Sequence, residues 1–204
     1  FQFAGPGASV DAAVARRSHR RFARRAVEAD ALGGLLSACA PVGAAGLPLP
    51  KYLYGSAGGL YPVQVYVSIL SGGVSGLDPG AYYYHPERRS LVLIERGAVL
   101  DPAMFVGANR AVFEQAAFGL HLVLERAAIE PVYGDSWSRD FALLEAGSLC
   151  QLLETEAPRH GLGLCQMGAL SFEDAAGHFG LGPSRRYLHS LLGGAVDGRA
   201  HTLE

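Results

Sequence analysis

Six arginines fall within ten residues, Arg16, Arg17, Arg20, Arg21, Arg24 and Arg25, with Ser18 and His19 among them. Guanidinium forks and a serine hydroxyl suit a phosphate, whose several oxygens accept bidentate bonds. On a helix, Arg16 and Arg20 would share one face at i, i+4. The other reading is a solvated basic helix end that complements the helix dipole. A second stretch runs Lys51-Tyr52-Leu53-Tyr54-Gly55-Ser56-Ala57-Gly58-Gly59-Leu60-Tyr61-Pro62 and sets small residues between tyrosines. Small residues let a flat ligand approach the backbone, whose amides can donate to ring oxygens and nitrogens. An ordinary glycine-rich turn into a strand competes with that reading. It is not a Walker loop, since no Gly-Lys-Ser/Thr follows four spacer residues.

The third stretch is His160-Gly161-Leu162-Gly163-Leu164-Cys165-Gln166-Met167-Gly168. Gly161 suits a helix C-terminus, while Gly163 and Gly168 inside a strand hint that something lies against the backbone. Cys165 lacks a fixed cationic neighbour, His160 apart, and reads as a core cysteine before it reads as a nucleophile. In the fourth stretch, Arg185 to Gly194, His189 and Ser190 are adjacent. Adjacent strand residues point to opposite faces, so these two cannot form a base and nucleophile pair. No Gly-x-Ser-x-Gly motif occurs, which argues against a serine hydrolase. The seven histidines are scattered, with no Cys or carboxylate at ligand spacing, so no metal site is expected.

These groups need a scaffold, and 204 residues, half of them hydrophobic, provide one domain with an ample core. A charged fraction of 18% argues against disorder, and a net charge of −2 gives no global case for nucleic acid or an anionic membrane. No run of about 18 uncharged apolar residues spans a bilayer. Three cysteines without metal or redox spacing point to a reducing cytoplasm. Both methionines, Met104 and Met167, are internal, and the chain opens at Phe1, so a piece of a longer protein or a processed form is expected.

The periodicities predict helices over Ser9–Phe22, Glu28–Ala40, Trp137–His160 and Phe172–Phe179, with a weakly helical Asp101–Glu114. Strands are predicted over Tyr61–Leu70, Leu162–Leu170 and Arg186–Val196, and Gly80–His85 with Ser90–Glu95 as a hairpin. Gln115–Ala127 is read as a strand, although its Ala and Leu also suit a helix. Val42–Leu60 is a long loop, a kind that is usually functional. Interleaved helices and strands indicate a mixed α+β layer fold.

In this order the four stretches resemble the nitroreductase family, most closely its flavin-dependent azoline oxidases, including the oxidase domains of nonribosomal peptide synthetases. Arg16-Arg17-Ser18-His19-Arg20 is similar to that family's Arg-x-Ser-x-Arg/Lys phosphate motif. Ser56-Ala57-Gly58-Gly59-Leu60-Tyr61-Pro62 is similar to its flavin loop, the most specific signal in the chain. Glu145-Ala146-Gly147, Gln151 and Gly161-Leu162-Gly163-Leu164-Cys165 match its long helix and glycine strand, and His189 to Gly194 resembles its closing strand. The resemblance covers about Arg16 to Val196.

It implies an α+β, nitroreductase-like three-layer fold, with a mixed, mostly antiparallel sheet flanked by helices. It also implies FMN at the interface of a homodimer. Arg16, Ser18 and Arg20, with Arg17, would hold the phosphate. Ser56, Ala57, Gly58 and Gly59 would line the isoalloxazine, from the other subunit in one version. Asn109 would meet the pyrimidine edge, and Gly161, Leu162, Gly163 and Leu164 would pass near the reactive ring. Residues 1–204 would be one oxidase domain of a larger synthetase, acting on a thiazoline or oxazoline tethered as a thioester to a carrier protein, with dioxygen as electron acceptor. Alternatives are aminoacyl desaturation in a pigment synthetase, an NAD(P)H-dependent nitroreductase or flavin reductase, and a non-catalytic flavin-binding scaffold. Where many nitroreductases carry Pro-Ser-Ser and a Gln-Pro-Trp-like stretch, this chain has Gly55-Ser56 and Tyr61-Pro62-Val63-Gln64, which argues against the nicotinamide-driven reading.

Dehydrogenating an azoline needs a proton acceptor besides the flavin. No acidic residue lies between Asp30 and Asp78, so carboxylates near the loop are expected to be lacking. Lys51 and Tyr52 are the candidates, with Tyr54 in reserve: side by side, a Lys⁺ would lower the tyrosine pKa and burial would lower the lysine's own. Related azoline oxidases carry a Lys-Tyr pair at a comparable functional position.

Overall fold

In the computed structural model, which describes residues 17–43, 50–98 and 100–197, the β-rich run after Pro62 is a central strand of the main sheet. Its elements in chain order are β1 (Val27–Glu28), α1 (Ala29–Ser37), β2 (Val63–Ile69), β3 (Val74–Ser75), β4 (Gly80–His85) and β5 (Ser90–Arg96). Then follow α2 (Ala108–Phe113), β6 (Phe118–Glu125), α3 (Glu130–Glu156), β7 (Leu162–Met167) and β8 (Arg185–Ala195). The sheet runs β5-β4-β2-β6-β8-β7 with every neighbouring pair antiparallel, while β1 and β3 form a separate parallel pair.

Val63, Val65 and Val67 of β2 and Leu120, Leu122 and Leu124 of β6 face Leu35 and Leu36 of α1 and Leu149 and Leu153 of α3. Tyr66, Val123 and Leu192 point the other way, into a second core with Phe105, Phe113, Phe172 and Phe179. Strands buried on both faces read as nearly continuous apolar runs, which is why periodicity alone left β6 ambiguous. The result is the expected three-layer α+β arrangement.

The helix predicted from Trp137 begins earlier, at Glu130, because Pro131 occupies a first-turn position and Gly134 (φ 70°) kinks the helix without ending it. Gly161 closes it beyond a 3-10 turn over Ala157–His160. A buried polar chain crosses the sheet: His121 bonds Ser68 Oγ through Nε2 (3.0 Å) and Ser190 Oγ through Nδ1 (2.8 Å). Tyr187 then donates to Ser190 Oγ at 3.0 Å.

Candidate active site

Residues 17–22 are not helical, which corrects the helix expected over Ser9–Phe22 for its described part; Arg16 lies outside the described residues. The physical reason is where the backbone donors go. The His19 N–H bonds Leu164 O and the Ala23 N–H bonds Ala195 O, both at 2.8 Å, so the segment is docked on the sheet. Gly163 permits this approach, since a Cβ there would stand 2.5 Å from the His19 ring. The shared helix face of Arg16 and Arg20 therefore falls away. What remains on β7 is half-buried Ser18 between exposed Arg17 and Arg20, a donor set that fits one phosphate.

The Ser56–Pro62 loop is built differently. Ala57–Gly59 form a 3-10 turn in which Gly58 has φ 62°, a left-handed conformation costly for any other residue. Tyr61 is also left-handed, with φ 48°, and its N–H donates to Ser56 Oγ at 2.9 Å. Beneath the loop lies a carboxylate. Glu145 of α3, 2% exposed, accepts from the Val63 N–H through Oε1 at 3.0 Å, and the Ser56 hydroxyl lies close enough to favour its charged form. Burial raises it to about 7, against the lowering effect of those two groups. The expectation that no carboxylate stands near this loop is thus overturned, because α3 delivers one across 82 residues of sequence.

Tyr52, Tyr54 and Tyr61 form an aromatic cluster on the loop, with Tyr52 and Tyr61 ring centroids 4.0 Å apart and Tyr52 and Tyr54 5.5 Å apart. Lys51 is exposed and pairs through its backbone with Val42. Lys51 is not among the groups that shift the Tyr52 phenol. Burial, then the charge of Glu87, pushes the Tyr52 phenol up, and burial also raises Tyr54 strongly. Both are neutral hydrogen-bond donors at physiological pH.

Asn109 sits on α2 and donates to Ala169 O at 3.1 Å, just past β7. The candidate residues therefore gather in two groups, one around β7 and one between α3 and the start of β2. Val63 is level with Leu124 and Arg186, whereas Leu164 is level with Gly193, seven residues further along β8. At about 3.4 Å per residue and about 4.8 Å per strand, the groups stand more than roughly 20 Å apart. The helix gives the same answer: Glu145 lies sixteen residues before Gly161, roughly 24 Å at about 1.5 Å per residue.

Against known proteins, the profile described as the nitroreductase family matches residues 13–194. The chain belongs to the nitroreductase family. Among curated relatives, indigoidine synthase of Dickeya dadantii is 37% identical over 124 residues, 60% of this chain and 7% of the synthase. Indigoidine synthase of Streptomyces lavendulae is 36% identical over 114 residues, 56% of this chain and 8% of the synthase. The chain thus spans under a tenth of either synthase. Among solved structures, the nitroreductase fold is shared with the E. coli microcin synthetase McbBCD complex with truncated pro-MccB17 bound (TM-score 0.72, 19% identity, 97% of this chain and 78% of that one). A nitroreductase from Desulfovibrio desulfuricans in complex with FMN also matches (TM-score 0.60, 16% identity, 96% and 90%).

Sequence reasoning missed one feature of this family member's site: Glu145 appeared only as part of a helix match. The outer face of α3 also exposes large apolar side chains, with Leu144 71% and Trp137 61% exposed. With Leu53 of the loop and Leu143, Leu144 borders a shallow groove of about 690 Å³.

Proposed function

We propose that this nitroreductase-family chain is an FMN-dependent oxidase that dehydrogenates a carrier-tethered thiazoline or oxazoline to the aromatic azole, as one domain of a larger synthetase. Similarity to two synthases of which it spans under a tenth supports the synthetase context. The observation that carries the site assignment is the separation of its two groups. One flavin can meet both the β7 group and the Ser56–Gly59 loop only if a second copy supplies the loop. A homodimer joined through the apolar face of α3 does this.

In that site Arg17, Ser18 and Arg20, with Arg16, hold the phosphate, and Gly161, Leu162, Gly163 and Leu164 run beside the ring system. Asn109 borders it where β7 ends. Ser56, Ala57, Gly58 and Gly59 of the partner's identical loop lie against the ring. FMN held there would supply a two-electron acceptor for a hydride, with dioxygen as the final electron acceptor. Tyr52, kept neutral by burial, donates a hydrogen bond to the thioester carbonyl while the adjacent carbon loses its proton. Lys51 adds positive charge at the mouth of the site, and Tyr54 packs behind Tyr52.

The direct test is mass spectrometry of a thiazolinyl thioester incubated with the protein, FMN and oxygen. Loss of two hydrogens is expected, and the released chromophore should chromatograph as FMN. An FAD peak would overturn the cofactor assignment, and flavin bleached by NAD(P)H with the azoline untouched would favour the reductase reading instead.

The dimer makes its own prediction. Leu144→Arg puts a charge on the most exposed leucine of α3, so it should yield a monomer in sedimentation that no longer retains FMN. A monomeric variant with flavin still bound would refute the shared site.

A further inference from the structure

We propose that the Ser56 hydroxyl and the Glu145 carboxylate form a relay that removes the substrate's proton, Ser56 passing it on and Glu145 holding it. This rests on the reading above, in which the Ser56–Gly59 loop meets flavin and substrate. The geometry has a direction. Ser56 is half-buried and Glu145 buried, so the hydroxyl is the open end and the carboxylate the closed end. A serine hydroxyl has one hydrogen and two lone pairs. One lone pair accepts from the Tyr61 N–H at 2.9 Å, which leaves the hydrogen to turn towards the neighbouring Glu145 carboxylate that Ser56 influences. The second lone pair remains for an incoming proton.

Glu145 itself is fixed by the Val63 N–H at 3.0 Å, so it cannot turn away. The titratable groups facing it are Tyr52 and Tyr54 of the loop, with Tyr61 and Cys39 acting on Tyr54 behind them. No cation is among the groups that shift it, and burial sets its affinity for protons near neutrality, where a general base works best. Tyr52, held neutral by burial, does not offer that.

The step balances. The C–H bond beside the thioester carbonyl breaks and leaves its electron pair on the substrate. The proton joins Ser56 Oγ as the hydroxyl's own hydrogen crosses to Glu145. The neighbouring ring carbon gives up a hydride, which closes the ring double bond. Dioxygen finally carries both electrons and both hydrogens away as hydrogen peroxide, one of those hydrogens being the proton that Glu145 releases.

Glu145→Gln keeps an acceptor for the Val63 N–H and removes the ionisation. With the FMN-loaded dimer and an N-acetylcysteamine thiazolinyl thioester, single-turnover flavin bleaching should speed up in the parent as pH rises through about 7. The variant should be about 100-fold slower with no such rise and near-normal FMN affinity. Equal rates, or a parent profile with no ionisation near neutrality, overturn the relay. Infrared titration of the apoprotein is the second readout: a buried carboxyl band should vanish through about pH 7 and be missing in the variant. A band lost already in the ordinary carboxylate range also overturns it. If no azoline thioester bleaches the parent's flavin, the oxidase reading fails, whereas the infrared titration still reports on Glu145 alone.

Discussion

FMN-loaded protein carrying Tyr52→Phe is expected to oxidise a thiazolinyl thioester about 100-fold more slowly than the parent, with an unchanged flavin spectrum. Lys51→Ala should lose far less. The asymmetry follows from where the two side chains lie. Tyr52 is half-buried against Tyr61 and Tyr54, and burial holds its proton in place. A fixed, neutral phenol in a water-poor cluster is a strong donor to an oxygen that gains charge as the adjacent C–H bond breaks. Removing the hydroxyl leaves the ring packing, so flavin content should not change. Lys51 is exposed, and its charge is screened by solvent. Rapid kinetics on both variants decides the matter. Full turnover by Tyr52→Phe with FMN bound sinks the assignment and makes Tyr54→Phe the next variant. A collapse confined to Lys51→Ala would reverse the two roles.

Much of the scaffold was legible because local pattern and tertiary demand agree. The β4–β5 hairpin turns at Pro86 to Arg89, as its turn residues indicate, and α3 is stopped by Gly161. The first arginine segment was misread because its composition suits a helix, while its conformation is decided by Leu164 and Ala195, acceptors that only the folded sheet presents. The same limit hid Glu145. Its sequence neighbours are helical and ordinary; its chemistry comes from meeting Ser56 and Val63 across the fold. Motif matching could name the loop and the helix separately, but not the contact between them. Packing brings Leu144 of α3 and Leu53 of the loop, 91 residues apart in sequence, to a common groove.

Acid should expose the buried histidine at the centre of the sheet. His121 is fully buried between Ser68 and Ser190, and burial lowers it from 6.5 to about 3. The unfolded chain takes up this proton as pH falls through 6.5, while the folded chain refuses it until about 3. Stability is therefore lost across that window, by at most about 5 kcal/mol from this group. Half-buried His19 and His189 are also lowered by burial, which adds loss of the same sign. Glu145 acts oppositely. Raised from 4.5 to about 7, it stabilises the fold most below 4.5 and loses that contribution as pH rises through 7. Between 4.5 and 6.5 the His121 and Glu145 effects offset one another, about one proton each. Single variants should uncover the two halves in thermal melts across pH. Glu145→Gln should steepen the acid loss in that window. His121→Gln keeps hydrogen-bonding atoms near both serines, costs about 1–3 kcal/mol at neutral pH, and should make the fall with acid shallower by about one proton. Parallel pH profiles for His121→Gln and the parent would mean that His121 takes up its proton over the same pH range folded and unfolded, which overturns the effect of burial.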